Sequence, residues 1–119
     1  MSGGAYEYAA SLRSETYGSS GFDATTLKAY NSKYYDEYNG SSELTTYSMR
    51  ILGDATGEMG PFNGYQNWYN DYSYFVESSE PWFSRGGDYT DGVIAGHFYF
   101  DRDTGGARSY AGLRIVLTK

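Results

Sequence analysis

The chain has few residues from which covalent or metal chemistry could be built. Cysteine is absent from its 119 residues and His97 is the single histidine. Thiolate nucleophiles, disulfides and thiolate metal sites are therefore excluded. Glu, Asp and His97 could in principle assemble a hydrolase, but no local spacing proposes one. The run Asp101-Arg102-Asp103-Thr104-Gly105 partly resembles an oxygen-rich calcium loop, yet it lacks the third ligand and the distal Glu at the required offset. A hairpin turn is the favoured reading there. His97 fits a ligand contact or a solvated strand histidine equally well. Recognition chemistry is abundant instead. The chain holds 15 Tyr, and beyond residue 83 they are interleaved with Ser, Asp, Thr and Arg. Tyr offers a large, stiff, amphipathic contact surface, while the smaller polar residues adapt their hydrogen bonding. Aromatic residues and Arg are also the usual anchors of protein interfaces.

Charge narrows the partner. A net charge of −6 and a pI near 4.6 argue against nucleic acid, which needs clustered Lys and Arg. No apolar run approaches the roughly 20 residues of a membrane span, so no membrane insertion is expected. Met1 is followed by Ser-Gly-Gly-Ala, without a basic start and apolar stretch. An export signal, if one is used, is expected on a longer precursor or a partner chain.

The elements that must position these side chains are short. With 16 Gly, 2 Pro and a 39% hydrophobic share, much of the chain should be turn and loop, and aromatic rings must fill much of the core. Residues 3–10 read as a short strand or turn carrying aromatics. Asp23 is a plausible N-cap. Leu27, Tyr30, Tyr34 and Tyr38 then recur at helical spacing, up to a stop at Asn39-Gly40. This aromatic stripe is read as core. Residues 53–64 read as loop, and Tyr72-Ser73-Tyr74-Phe75-Val76 has strand composition. Residues 81–85 make a second strand ending at Gly86-Gly87, residues 96–100 a third, and residues 113–117 the last. A turn is expected over residues 101–106. In the third strand, alternation points Phe98 and Phe100 inward and Tyr99 outward. The pattern is α+β: short antiparallel strands with one or two helices and long loops, in a single domain over residues 1–119.

Three motifs at the two ends resemble one family. Met1-Ser2-Gly3-Gly4-Ala5-Tyr6-Glu7-Tyr8 looks like the Met-x-Gly-Asn-Val-x-Glu-Trp element of formylglycine-generating-enzyme-type domains. Arg85-Gly86-Gly87-Asp88-Tyr89 is similar to their Arg-Gly-Gly-Ser-Trp, and Gly112-Leu113-Arg114-Ile115-Val116 to their closing Gly-Phe-Arg-Val-Val. Gly4 stands where the family has Asn, and Tyr8 where it has Trp. The resemblance implies a C-type-lectin-like fold, of which this chain would be the C-terminal part. It also implies that the family's enzymes are poor guides. Those that oxidise a substrate cysteine use cysteines of their own, and those that bind iron use several histidines. No catalysis and no cofactor are expected, although Asp54, Glu58 and Asp71 lie where the family can hold structural calcium. Physically, Gly86-Gly87 would permit positive φ just after a strand. Arg85 and Arg114 could pair with Glu7 or another buried carboxylate and fix how the chain ends meet.

Ligand-binding members of this family include the variable proteins of diversity-generating retroelements. There, template adenines are randomised, chiefly in Asn codons, which cannot become Lys, Glu, Gln, Met or Trp while the final pyrimidine stays. Those five types supply 15 of residues 1–82 and none of the 35 residues 83–117. A β-rich, Gly-rich segment would also be poor in Lys and Glu, so an invariant loop region remains an alternative. The resemblance implies ligand contacts at Ser84, Asp88, Tyr89, Thr90, Asp91, His97, Tyr99, Asp101, Arg102, Asp103, Thr104, Arg108, Ser109 and Tyr110. These are set between framework positions such as Gly92, Gly96, Phe98, Phe100 and Gly105-Gly106. The expected ligand is a protein or a cell-surface glycan. The expected setting is extracellular, on a bacterial surface or phage particle, with a carrier chain or a homo-oligomer. Two rivals stand beside it: a degenerate enzyme-like domain with a small-molecule pocket among the aromatics between Trp68 and Phe75, and a structural tip or stalk component. Trp68-Tyr69-Asn70-Asp71 and Glu80-Pro81 look like calcium-dependent lectin elements, but stand in the wrong order, with Trp82 where Asn belongs.

Overall fold

A computed structural model describes residues 4–13, 15–29, 35–38 and 68–112. Within them the chain forms β1 (Tyr6–Arg13), α1 (Ala24–Lys28), β2 (Asp36–Tyr38), β3 (Trp82–Arg85), β4 (Phe100–Asp103) and β5 (Ala111–Gly112). This is a small α+β fold, a five-stranded mixed sheet with very little helix.

The eight-residue β1 is the strand on which the others are assembled. One edge pairs antiparallel with β3, which pairs antiparallel with β4. The other edge is divided. Ser11, Leu12 and Arg13 pair in parallel with β2, and Tyr6 and Glu7 pair in parallel with β5. The expectation of purely antiparallel strands is thus corrected. Parallel neighbours require long connections, and β2 and β5 each reach β1 only after one.

Alternation gives the sheet two chemically distinct faces. Register places Phe83 opposite Arg102, and Arg85 opposite both Glu7 and Phe100. On that face Tyr38, Phe75, Val76, Phe83 and Phe100 form a buried cluster, with Ala9 against it. Phe83 meets Tyr38, Phe75 and Phe100 edge-on, with centroids 5.7, 5.1 and 6.4 Å away. The opposite face carries the even positions of β1. At one end of it Leu12, Leu27 and Trp82 make a second cluster. At the other end lies the polar cleft described below.

Several local readings hold. Asp23 caps α1, its Oδ1 accepting from the Thr26 N–H at 2.7 Å and the Thr26 hydroxyl at 2.8 Å. Gly86 and Gly87 have φ of 90° and 64° directly after β3. Separately, the β1–β3 register sets Arg85 opposite Glu7, and the Arg85 guanidinium lies 4.6 Å over the Phe100 ring. Gly105 has φ of +81°, and a Cβ there would run into the indole of Trp82. Gly105→Ala is accordingly expected to destabilise the fold by more than about 1 kcal/mol. A urea midpoint lowered without a change in slope checks this, and an unchanged midpoint would refute the close approach.

Other readings are corrected. The helix does not run to Tyr38: α1 is capped at Ala29, and Tyr38 pairs with Arg13 in β2. Tyr38 is core as expected, but from a strand, and Tyr favours strands. Residues 72–76 contribute one isolated bridge, Ser73 with Phe100, rather than a ladder. Residues 96–98 bend instead of extending, so β4 begins at Phe100 and takes in Asp101, Arg102 and Asp103, where the turn was expected. The bend has a physical cause. The Asp71 carboxylate accepts from the Phe98 N–H at 2.8 Å, and a Cβ on Gly96 would strike that carboxylate. Tyr99 does point away from Phe100, but the face it points to is covered by Tyr6 and Asp101, so it is buried at 2% exposure instead of outward. The final strand over residues 113–117, with Arg114, lies outside the described residues.

Candidate functional site

Three antiparallel strands build the floor of one cleft. Tyr8 is registered against Ser84, and Ser84 against Asp101, so these three side chains form a row across β1, β3 and β4. Two residues along the strands, on the same face, stand Tyr6 and Asp103. Glu80, Arg102, Arg108, Tyr110 and Ala111 complete a cleft of about 230 Å³. Tyr110 arrives through the β5 pairing, in which the Tyr6 N–H donates to the Tyr110 carbonyl at 2.9 Å.

Two hydrogen-bonded systems organise the walls. In the first, the Tyr8 hydroxyl lies 2.8 Å from Asp103 Oδ1 and 2.9 Å from the Gly106 carbonyl, its one proton shared between the two acceptors. Asp103 also accepts from the Gly105 N–H at 2.8 Å, and Arg108 Nε lies 3.4 Å from its second oxygen. Burial and the Asp103 contact push the Tyr8 phenol up to about 12. In the second, the Tyr6 and Tyr99 hydroxyls are 3.0 Å apart, and Tyr99 donates to Asp101 Oδ2 at 3.3 Å. Asp101 Oδ1 accepts from the Arg102 N–H at 2.8 Å. Burial is the main reason that Tyr6 and Tyr99 are held well above the usual phenol range. Burial likewise raises Asp101 to about 6, against the hydrogen bonds that favour its charged form.

The cations of the cleft are engaged. Arg102 Nε lies 3.0 Å from Glu80 and its NH1 3.0 Å from Glu77, with the guanidinium 4.9 Å over the Tyr74 ring. The NH1 contact is ionic only, since that nitrogen makes no aligned hydrogen bond. Arg108 pairs with Asp103. Among the described residues no Lys or Arg side chain pairs with Asp101.

Six of the fourteen contact positions expected from sequence line this cleft: Ser84, Asp101, Arg102, Asp103, Arg108 and Tyr110. Ser84 is buried and serves as floor. Tyr99 lies beneath Tyr6 and Asp101 and is a support, not a surface contact. Thr104 and Ser109 are beside the cleft rather than in it, and the Thr104 carbonyl accepts from the Ser19 N–H at 2.6 Å. Asp88, Tyr89, Thr90 and Asp91 form a separate closed turn. There the Asp88 carboxylate, lowered by the Thr90 hydroxyl and N–H, accepts both, and Asp91 accepts from the Asp88 N–H at 2.8 Å. Tyr89 is exposed at the tip of that turn. His97 stands apart, in an open groove with Tyr69, Asp71, Gly96 and Phe98.

Tyr6, Tyr8 and Glu80 were missed by sequence reasoning. The alternation Tyr6-x-Tyr8 was visible, but only strand pairing brings that face to Asp101. Of the residues considered for calcium, Asp71 is buried and engaged by the Phe98 N–H, while Asp54 and Glu58 lie outside the described residues. The aromatics between Trp68 and Phe75 do not line one pocket. Phe75 is in the core, and Trp68 and Tyr69 clasp Phe98, with centroids 5.2 and 5.7 Å away. Among the described residues no helix is long and apolar enough to cross a membrane. No protein-family model, curated protein or solved structure matches the chain.

Proposed function

We propose that the chain is a non-enzymatic recognition domain of the C-type-lectin-like type. It binds a macromolecular ligand through residues 84–111, displayed on a bacterial surface or phage particle. The observation that carries this reading is the convergence of six sequence-selected residues with Tyr6 and Tyr8 on a single polar cleft. Its chemistry is that of a contact surface: stiff phenol rings in fixed hydrogen bonds, with Arg and carboxylate groups at the rim.

Screening against arrayed glycans and cell-envelope proteins tests the reading. Tyr110→Ala and Arg108→Ala should each weaken a hit about tenfold or more, while His97→Ala leaves it unchanged. Hits that survive both cleft substitutions would overturn the site. Diversification has its own check. A reverse transcriptase and an adenine-rich template copy beside the gene are expected, and a locus without them removes that part of the proposal. The small-molecule alternative rests on one feature, the groove of about 550 Å³ at Tyr69 and His97. It offers few convergent polar groups, which small-molecule sites need for orientation.

A further inference from the structure

We propose that the cleft between β1, β4 and Tyr110 receives a Lys or Arg side chain of a protein ligand, clamped between phenol rings and the Asp101 carboxylate. The inference rests on the reading of this cleft as the ligand site and adds the chemical class of its occupant.

Size, charge and hydrogen-bonding capacity lead to the same class. At about 230 Å³ the cleft is smaller than the roughly 300–1,000 Å³ of small-molecule pockets, and suits a single side chain. Its charges do not balance. Arg102 is shared by Glu77 and Glu80, and Arg108 is taken by Asp103. Asp101 is left with one backbone N–H and one phenol, and with no paired cation among the described residues. A half-buried carboxylate in that position is stabilised by an incoming cation.

The phenol donors Tyr8 and Tyr99 are already used. Tyr8 gives its proton to Asp103 or Gly106, and Tyr99 gives its proton to Asp101. Beside the arginine, Tyr110 and Ser84 donors, the cleft offers a ligand the carboxylate oxygens of Glu80, Asp101 and Asp103. Ammonium and guanidinium groups are donors only and match those carboxylate acceptors. The rings favour the same occupant. Tyr6 and Tyr110 meet edge to face at 65° with centroids 5.7 Å apart, and both rings line the cleft, where a ring face attracts a cation. The chain's net charge of −6 would draw basic partners toward it.

The occupant also carries a pH signature. Glu80, Arg102, Tyr6 and Tyr99 face Asp101, and Asp91 reaches toward Tyr6. Burial holds Asp101 at about 6, so it is largely neutral at pH 5 and charged at pH 7.5.

The test is titration of the whole chain with capped glycyl-arginyl-glycine, its lysine and glutamate counterparts, and a methyl glycoside. Ring resonances of Tyr6, Tyr8 and Tyr110 report occupancy. The two basic peptides should shift those rings at pH 7.5, and bind about tenfold more weakly at pH 5. Asp101→Asn should bind them at least about tenfold more weakly at pH 7.5 and lose the pH dependence. Undiminished binding to Asp101→Asn would overturn the proposal. If the acidic peptide or the glycoside shifts the rings and the basic peptides do not, the cleft remains the site and the cation assignment falls. If no probe shifts them, and Tyr110→Ala leaves the array hits intact, both readings fall.

Discussion

Truncating Phe83 to alanine is expected to destabilise the fold by about 3–5 kcal/mol, the range for a large ring removed from a packed core. Phe83 is fully buried and meets Tyr38, Phe75 and Phe100 edge-on. Those three rings come from β2, from the segment before β3, and from β4. One side chain therefore ties together parts of the chain far apart in sequence. A domain of this size has about 5–15 kcal/mol of stability in total, so the variant should be at or near the limit of folding. Phe83→Leu, which keeps most of the volume, should lose much less. Urea unfolding of both variants checks this. A loss below about 1 kcal/mol for the alanine variant would show that the cluster is not the core of the sheet.

The second large effect concerns pH. Asp101 is raised by burial from 3.8 to about 6 in the folded chain, so the fold prefers its neutral form. The stability it contributes is fully present below the unfolded value and is lost as pH rises through about 6. Allowing for partial solvation, the loss is about 2 kcal/mol between pH 4 and pH 7.5. Asp101→Asn keeps an acceptor for the Arg102 N–H and cannot ionise. It should match the parent chain near pH 4 and exceed it by about 2 kcal/mol at pH 7.5, a rise in Tm of roughly 5 °C or more. Asp23 and Asp88 act with the opposite sign, being held below the usual carboxylate range by Thr26 and Thr90. Their stability is lost as pH falls below about 4. The difference between the parent and Asp101→Asn curves isolates the one group. If the two curves run parallel from pH 4 to pH 7.5, Asp101 is not buried as described. A stabilising substitution that weakens binding would be the familiar trade between stability and function.

What was legible in sequence was local. Strand β3 showed in an apolar, aromatic run closed by two glycines, and Gly86-Gly87 take positive φ there because only glycine does so without strain. The Asp23 cap was legible because its partner is three residues away. Phase was harder. The helical period through Leu27 and Tyr38 was real in the letters, but Tyr38 answers to Arg13 across a parallel pairing. Likewise Tyr99 and Phe100 do alternate, but Tyr6 and Asp101 cover the face of Tyr99, and a carboxylate 27 residues away bends the chain at Phe98.

By itself the sequence determined the chemistry open to this protein: no thiol, one histidine, an acidic balance, and a Tyr-, Asp- and Arg-rich stretch ahead of the C-terminus. Composition and near-neighbour geometry suffice for that. The tertiary structure decided which of those residues meet. Register across β1, β3 and β4 set Tyr8, Ser84 and Asp101 in one row, brought Tyr6 to Tyr99, and left His97 in a different groove. Strand pairing joins residues more than 90 positions apart, as in Tyr6 with Ala111, and a shift of one residue would turn every side chain to the other face. That choice is made by burying Phe83 and Phe100 on one side of the sheet. The cleft is what the other side then presents.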